Sequence, residues 1–150
     1  MGAALKGDRG FRQLEHSGDA YIEAWGRTLE EAFESAALAL FDVMADTASI
    51  RPIAEDRFEV EGWDLEELLY GWLEALLVKF DADRMLYSKF EVRIIPSGQE
   101  GGYRLHGRAF GEEFDPARHG PKMEVKAVTY HGMEIIRLPK GAKVRFLLDL

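Results

Sequence analysis

The sequence contains no cysteine among its 150 residues. This absence excludes disulfide bonds, thiolate zinc sites and cysteine nucleophiles, and it fits a reducing compartment. No apolar run approaches the length of about 20 residues that a membrane-spanning helix needs. Residues 1–10 lack the apolar segment of a secretory signal and are predicted to be a flexible tail. We therefore expect a cytoplasmic protein.

Several enzyme motifs are also missing. The chain has no glycine loop that could cradle phosphates, no GxSxG nucleophile turn and no HExxH metal motif. A self-sufficient enzyme is therefore not indicated by the sequence.

Positive charge is scarce in the first part of the chain. Residues 1–83 contain 19 acidic and 7 basic residues, whereas residues 84–150 contain 8 acidic and 12 basic residues. The net charge of −8 makes the chain a poor binder of phosphate backbones. We expect no strong direct binding of nucleic acid, and glutamates that keep helices soluble account for most of the asymmetry.

Two amphipathic helices are predicted, at about residues 28–45 and 64–81. Each begins with a capping box, in which Thr28 is followed by Glu31 and Asp64 by Glu67. Apolar residues then recur at the i, i+3, i+4, i+7 spacing of a one-faced helix. These stripes predict core packing rather than a cofactor site.

The remaining segments have the pattern of strands. Alternation predicts strands at residues 20–25, around 58–60 and over "MEVKAVTY" at 123–130, and "PSGQEGG" predicts a hairpin connection. The order of elements predicts an α+β fold. We expect a single domain over residues 11–150, made mainly of antiparallel strands packed with the two long helices.

Acidic residues lie where two strands begin or end. Asp19 precedes the strand at 20–25, with Glu15 and His16 close by, and its alternative role is a turn aspartate that bonds its own backbone. Asp149 lies beside the terminal carboxylate of Leu150. Two such acids repel unless a cation neutralises them, and a hard cation with oxygen ligands would do so. A frayed, solvated terminus is the alternative there.

The stretch "KAVTYHG" concentrates functional side chains. In an extended strand Lys126 and Tyr130 share a face, and His131-Gly132 is predicted to form a bulge or a bend. Lysine and tyrosine could hold an anionic group and the histidine could relay a proton, although an ordinary solvated face has the same pattern. His106 and His119 are predicted to be structural.

The sequence resembles the archease family, the protein cofactors of RtcB-type tRNA-splicing ligases. The matching segments are "LEHSGDAYIEAWGRTLEEAFESAALALFDVMAD", "VEGWDLEELLYGWLEALLVKFD", "GEEFDPARHGPKMEVKAVTYHGMEI" and the final "LLDL". They follow one another over residues 11–150. "KAVTYHG" and the His16–Asp19 spacing are the most specific parts of the match.

The resemblance implies a non-catalytic partner of the ligase. Such a protein promotes guanylylation of the ligase from GTP and multiple turnover, and it meets tRNA and GTP only through the ligase. The family pattern implies a bound calcium ion at Asp19, Asp149 and Leu150. It also implies functional roles for Lys126 and for Asp46, which either joins the metal cluster or caps a local turn.

One position departs from the family pattern. Where archeases commonly read "HTADVGI", this chain reads "HSGDAYI", so that Tyr21 replaces a small residue two positions after the predicted ligand Asp19.

The resemblance leaves two alternative functions. These are a calcium-binding chaperone-like module and an independent metal-dependent hydrolase that uses His131 as a base.

Overall fold

The two long helices begin at the predicted caps. The structure is a computed structural model that describes residues 7–14, 18–98 and 100–150. Helix α1 spans Leu29–Met44 and helix α2 spans Leu65–Asp83. The Thr28 hydroxyl accepts the Glu31 amide at 3.1 Å, and the Asp64 carboxylate accepts the Glu67 amide at 2.8 Å. Each side chain satisfies an amide that the first helical turn leaves unpaired.

Seven strands form two antiparallel sheets within the described ranges. Sheet one has the order β1-β2-β7-β6 and sheet two has the order β3-β5-β4. The strands are β1 (Gly10–Leu14), β2 (Ala20–Gly26), β3 (Ala54–Gly62), β4 (Met85–Pro96), β5 (Tyr103–Glu113), β6 (Ala127–Leu138) and β7 (Gly141–Asp149). A 3₁₀ turn at Thr47–Ser49 and a short helix α3 at Pro116–His119 complete the elements.

Both helices lie between the two sheets. Helix α1 contacts β2 and β7 of sheet one and β4 of sheet two, and helix α2 contacts β6 of sheet one together with β3, β4 and β5. Phe41 of α1 packs edge-on against Tyr87 with ring centroids 5.5 Å apart. The buried Trp72 indole donates to the Phe33 carbonyl at 3.1 Å and joins the helices. The predicted α+β class is confirmed.

The first strand was not predicted. Gly10 already belongs to β1, one residue before the predicted start of the domain, and Arg9 donates to Glu34 of α1 at 2.7 Å. Residues 1–6 of the predicted tail lie outside the described residues. None of the helices in the described ranges is long and apolar enough to cross a membrane.

The predicted strand at residues 123–130 begins too early, because β6 starts only at Ala127. The Lys122 amide donates to the Met44 carbonyl at 2.9 Å, and the Met123 amide donates to the Val43 carbonyl at 3.1 Å. These amides satisfy carbonyls that the end of α1 leaves unpaired, so they cannot also form a strand ladder. The segment before β6 therefore crosses the end of α1.

Candidate functional site

Three strand termini meet at one end of sheet one. Ala20 at the start of β2 pairs with Leu148 near the end of β7, and Ala127 at the start of β6 pairs with Asp149. Asp19 and Asp149 each lie one residue beyond the Ala20–Leu148 pair. The antiparallel register thus brings the two predicted acidic residues to neighbouring strand ends.

The two carboxylates at this end form no ion pair with any residue that the structure describes. Asp19 is half-buried and Asp149 is exposed. Within the described part of the chain, neither side chain forms an ion pair or a hydrogen bond. Leu150 is half-buried and packs against the core. Glu15 and His16, which were predicted to lie near Asp19, are outside the described residues.

The donor set at this end fits a hard cation. Carboxylate oxygens are the ligands that calcium prefers, and the predicted set consists of two aspartate side chains and the terminal carboxylate. Among residues 7–14, 18–98 and 100–150, no three histidine, aspartate or glutamate side chains come together as a metal site. The predicted calcium site, which relies on a main-chain carboxylate for its third ligand, stays a prediction.

Lys126 is fixed beside Asp149 through its backbone. The Lys126 amide donates to the Asp149 carbonyl at 2.7 Å. The side chain of Lys126 is exposed, and it forms no ion pair with any residue that the structure describes. The structure therefore places an uncommitted ammonium group at the same end of sheet one as the two aspartates.

Asp46 caps the local turn. Its carboxylate accepts the Ala48 amide at 3.2 Å, and its own amide donates to the His119 carbonyl at 3.1 Å. The hydrogen bonds of Asp46 are therefore those expected if it caps a local turn. Within the described ranges its hydrogen bonds stay in this turn and with His119, so the structure does not bring Asp46 into a cluster with Asp19 and Asp149.

The predicted bulge at His131-Gly132 is confirmed. Thr129 pairs with Leu147 and Glu134 pairs with Arg145, so the four residues 130–133 lie opposite a single residue of β7. We call residues 130–133 the β6 bulge. Gly132 has a φ of +71°, a left-handed conformation that favours glycine.

Lys126, Tyr130 and His131 have separate contacts within the described chain, and the predicted grouping of their side chains stays a prediction. Lys126 precedes β6, whereas the Tyr130 ring stacks on Tyr70 of α2 with centroids 4.3 Å apart. His131 is exposed, and its amide donates to the Thr129 hydroxyl at 2.8 Å. Over the described ranges no hydrogen bond joins Lys126 to Tyr130 or to His131.

A buried carboxylate in the middle of sheet one was not anticipated. Glu23 of β2 is 0% exposed and accepts hydrogen bonds from Arg12 at 2.9 Å and Arg145 at 2.8 Å. Lys143 lies 3.7 Å away. Burial favours the neutral carboxyl, but these cations outweigh it and hold the pKa of Glu23 below its ordinary value. Because Arg12 lies in the unpredicted strand β1, no sequence signal indicated this cluster.

A second buried cluster surrounds His119. The His119 ring is 0% exposed, and its Nδ1 accepts the Asp115 amide at 2.8 Å. The proton therefore lies on Nε2, which is 2.9 Å from the Glu112 carboxylate. Hydrogen bonds from Arg118, His119 and Arg51 hold the pKa of Glu112 far below its usual range despite desolvation. The predicted structural role of His119 is confirmed.

Comparison with known proteins gives concordant matches over most of the chain. The model of the Archease protein family (MTH1598/TM1083) matches residues 11–150. A protein archease of Pyrococcus furiosus is 50% identical over 133 residues, which cover 89% of this chain and 92% of the relative. A protein archease of Sulfurisphaera tokodaii is 44% identical over 140 residues, with 93% and 98% covered.

Two solved structures share the fold. The solution structure of protein 1598 from Methanobacterium thermoautotrophicum has a TM-score of 0.83 and 43% identity, covering 94% of this chain and 99% of that protein. The crystal structure of an archease and possible chaperone from Thermotoga maritima has a TM-score of 0.57 over 93% of this chain and 96% of that one. At 18% identity, the second likeness shows the fold alone.

Proposed function

The chain belongs to the archease family, and from this premise we propose that it is a non-catalytic accessory protein of an RtcB-type tRNA-splicing ligase. In this role it promotes guanylylation of the ligase from GTP and allows multiple turnover in the cytoplasm. GTP and tRNA bind to the ligase, and this chain meets them only in the complex.

The end of sheet one is the feature that most directly supports this proposal. Asp19 and Asp149 lie at adjacent strand ends, and the Lys126 backbone is bonded to Asp149. None of the three side chains has an ion-pair partner within the described part of the chain. Uncompensated charges on a rigid sheet end suit groups supplied by another molecule.

Calcium is the proposed ligand of the acidic residues. Asp19, Asp149 and the terminal carboxylate of Leu150 would hold it with oxygen donors. When bound, calcium supplies the positive charge that neutralises these carboxylates and attracts an anionic group. The chain itself supplies the Lys126 ammonium, whose role in this proposal is to contact a phosphate or another anion at the ligase's reactive centre.

The charge distribution suits a basic partner. Residues 1–83 contain 19 acidic and 7 basic residues. An RNA-binding ligase carries positive surface charge, and complementary charge accelerates association more than it increases affinity. High salt is therefore expected to slow formation of the complex.

The testing experiment is guanylylation of the cognate ligase over many turnovers with limiting amounts of this protein. Stimulation that depends on calcium, and that is lost in Asp19→Ala, is the expected result. Glu113→Gln removes an exposed carboxylate without an ion pair in the described chain and is the matched control. A competent ligase that gains nothing from the wild-type protein would exclude the proposed function.

A chaperone-like module is the second candidate. It is supported by large apolar side chains on the surface, such as Trp63 at 72% and Met123 at 52% exposure, and by the description of the Thermotoga maritima protein as a possible chaperone. This candidate predicts suppressed aggregation of unrelated unfolded proteins. Hydrolysis of GTP or a phosphoester by the purified protein alone would instead favour an independent metal-dependent hydrolase.

A further inference from the structure

One residue at the end of β7 is both a proposed metal ligand and the backbone partner of Lys126. The Asp149 carbonyl accepts the Lys126 amide at 2.7 Å. This hydrogen bond lies just outside the pairing of β6 with β7, which begins where Ala127 lies opposite Asp149. Asp149 therefore has its main-chain oxygen committed to Lys126, whereas its exposed carboxylate forms no ion pair in the described chain.

The segment that leads to Lys126 is held independently of β7. The Lys122 amide donates to the Met44 carbonyl at the end of α1 at 2.9 Å. Val125, directly before Lys126, is buried in the core with 4% exposure. The hydrogen bond to Asp149 is therefore the contact that ties Lys126 itself to the end of sheet one.

The end of β7 is also a weak point of sheet one. Asp149 is the last residue of β7, and Asp19 lies directly before β2, so that both lie beyond the Ala20–Leu148 pair. Strand ends open locally at a lower free-energy cost than strand centres. Like charges on neighbouring strand ends favour this opening, and a cation shared between them opposes it.

We propose that Asp149 is a positioning residue for Lys126, and that Lys126 is fixed in place when the calcium site is filled. The inference rests on the proposed function and adds to it a link between the metal site and the lysine. Carboxylates of Asp19 and Asp149 that share a cation hold the end of β7 against the start of β2. The Asp149 carbonyl then stays in position for the Lys126 amide, and the ammonium group is held ready for an anion.

Hydrogen exchange at the Lys126 amide, followed by NMR, tests this link without the ligase. If this amide opens only when the metal site opens, its exchange should slow as calcium is added, by about 100-fold at about 100 times the Kd. The Lys122 amide belongs to the same segment but bonds to α1, so it is the internal control. Its exchange should not change with calcium.

Asp19→Asn separates the metal from the hydrogen bond. The substitution removes a proposed ligand on another strand and leaves both Asp149 and Lys126 in place. Calcium should then no longer slow exchange at Lys126. Glu59→Gln, which removes an exposed carboxylate of β3 without an ion pair in the described chain, should keep the full calcium response.

The consequence for activity is measured with Asp19→Asn, Lys126→Ala and the double variant in the guanylylation assay. If the metal acts on the ligase through the position of Lys126, the two substitutions disable one unit and their effects are not additive. The double variant should therefore stimulate the ligase as much as the weaker single variant does, within about twofold.

Each other result overturns a defined part of the inference. Unchanged exchange at Lys126 in a protein that binds calcium overturns the positioning role and leaves the calcium site intact. Equal slowing at Lys122 and Lys126 also overturns it, because calcium would then stabilise the whole fold. Losses that multiply in the double variant overturn the functional link alone.

Failure of the underlying proposals gives different results. A protein that does not bind calcium overturns the calcium site and the positioning role together. A wild-type protein that fails to stimulate a competent ligase overturns the proposed function and the functional link, while exchange at Lys126 still decides the positioning role.

Discussion

Two carboxylates of the same short segment have opposite surroundings. Glu23, in the middle of β2, is fully buried and is contacted by Arg12, Arg145 and Lys143. Asp19, four residues earlier at the strand end, is half-buried and has no cation partner within the described part of the chain. Among the described residues, three cations lie near the first carboxylate and none forms an ion pair with the second.

The difference distinguishes a carboxylate that stabilises the fold from one that is a candidate functional group. A buried carboxylate surrounded by its own arginines has its hydrogen-bonding capacity used, and its removal leaves several positive charges unpaired. A carboxylate at a strand end without a partner contributes little to folding and remains available to an external cation. Perturbing one centre should therefore change stability, and perturbing the other should change ligand response.

The largest expected effect is loss of stability in Glu23→Gln. Removing this carboxylate should lower the free energy of unfolding by about 3 kcal/mol, because the charges of Arg12 and Arg145 then lose the buried negative charge that they share. Urea unfolding of wild type and variant measures the difference, with Glu113→Gln as control. A loss below about 1 kcal/mol would mean that solvent already screens this cluster.

Asp19→Asn should show the reverse behaviour. Without calcium its free energy of unfolding should stay close to that of the wild type. With calcium at about 100 times its Kd, the wild type should gain about 2.7 kcal/mol and the variant should not. Thermal unfolding with and without calcium provides the measurement.

Asp149→Asn should behave like Asp19→Asn in that measurement. Glu59→Gln, which removes an exposed carboxylate of β3 without an ion pair in the described chain, serves as the control. An unaltered calcium response in both aspartate variants would place the metal elsewhere.

Acidification should distinguish paired carboxylates. The Arg27 hydrogen bond outweighs desolvation and lowers the pKa of Glu31 from 4.5 to about 2. Because the folded-state pKa lies below the unfolded one, this contribution is complete above about pH 5 and is lost as the pH falls towards about 2. Glu31→Gln should be less stable by about 1 kcal/mol at neutral pH.

The same variant should lose less stability on acidification, as followed by urea unfolding between about pH 6 and 2.5. The control is Glu30→Gln, which removes a neighbouring carboxylate of α1 that has no ion pair in the described chain. Identical pH profiles for Glu31→Gln and wild type would contradict the assigned role of Arg27.

Lys126→Ala should have the smallest effect on stability, below about 0.5 kcal/mol, since its exposed side chain has no described ion pair. It should nevertheless reduce stimulation of the ligase while calcium still stabilises the variant. Lys140→Ala, in the exposed turn between β6 and β7, is the control. Full stimulation by Lys126→Ala would identify Lys126 as an ordinary surface residue.

Local chemistry made the helices predictable. The capping boxes at Thr28 and Asp64 and the apolar stripes located α1 and α2 to within about two residues of their ends. The hairpin between β4 and β5 followed from its glycine-rich connection, and the bulge followed from His131-Gly132. These signals are short-range, so they can be read from neighbouring residues.

Long-range pairing was not predictable in the same way. Nothing in "GFRQL" marks it as β1, so the pairing that places Arg12 opposite the buried Glu23 could not be predicted. Residues 123–126 alternate like a strand, but the Met123 amide hydrogen-bonds to the end of α1 instead of to a neighbouring strand. The residues of the candidate metal site came from resemblance, and the register then showed that two of them lie at neighbouring strand ends.

The position of β7 has a consequence for the order of synthesis. This strand, which is made last among the described elements, lies between β2 and β6 and pairs with both. Sheet one cannot be completed while the ribosome still holds residues 141–149, although α1 is available much earlier to cover the apolar face of β2. Strand β2 therefore stays without its partner β7, and covered by α1, until a strand about 120 residues downstream has been made.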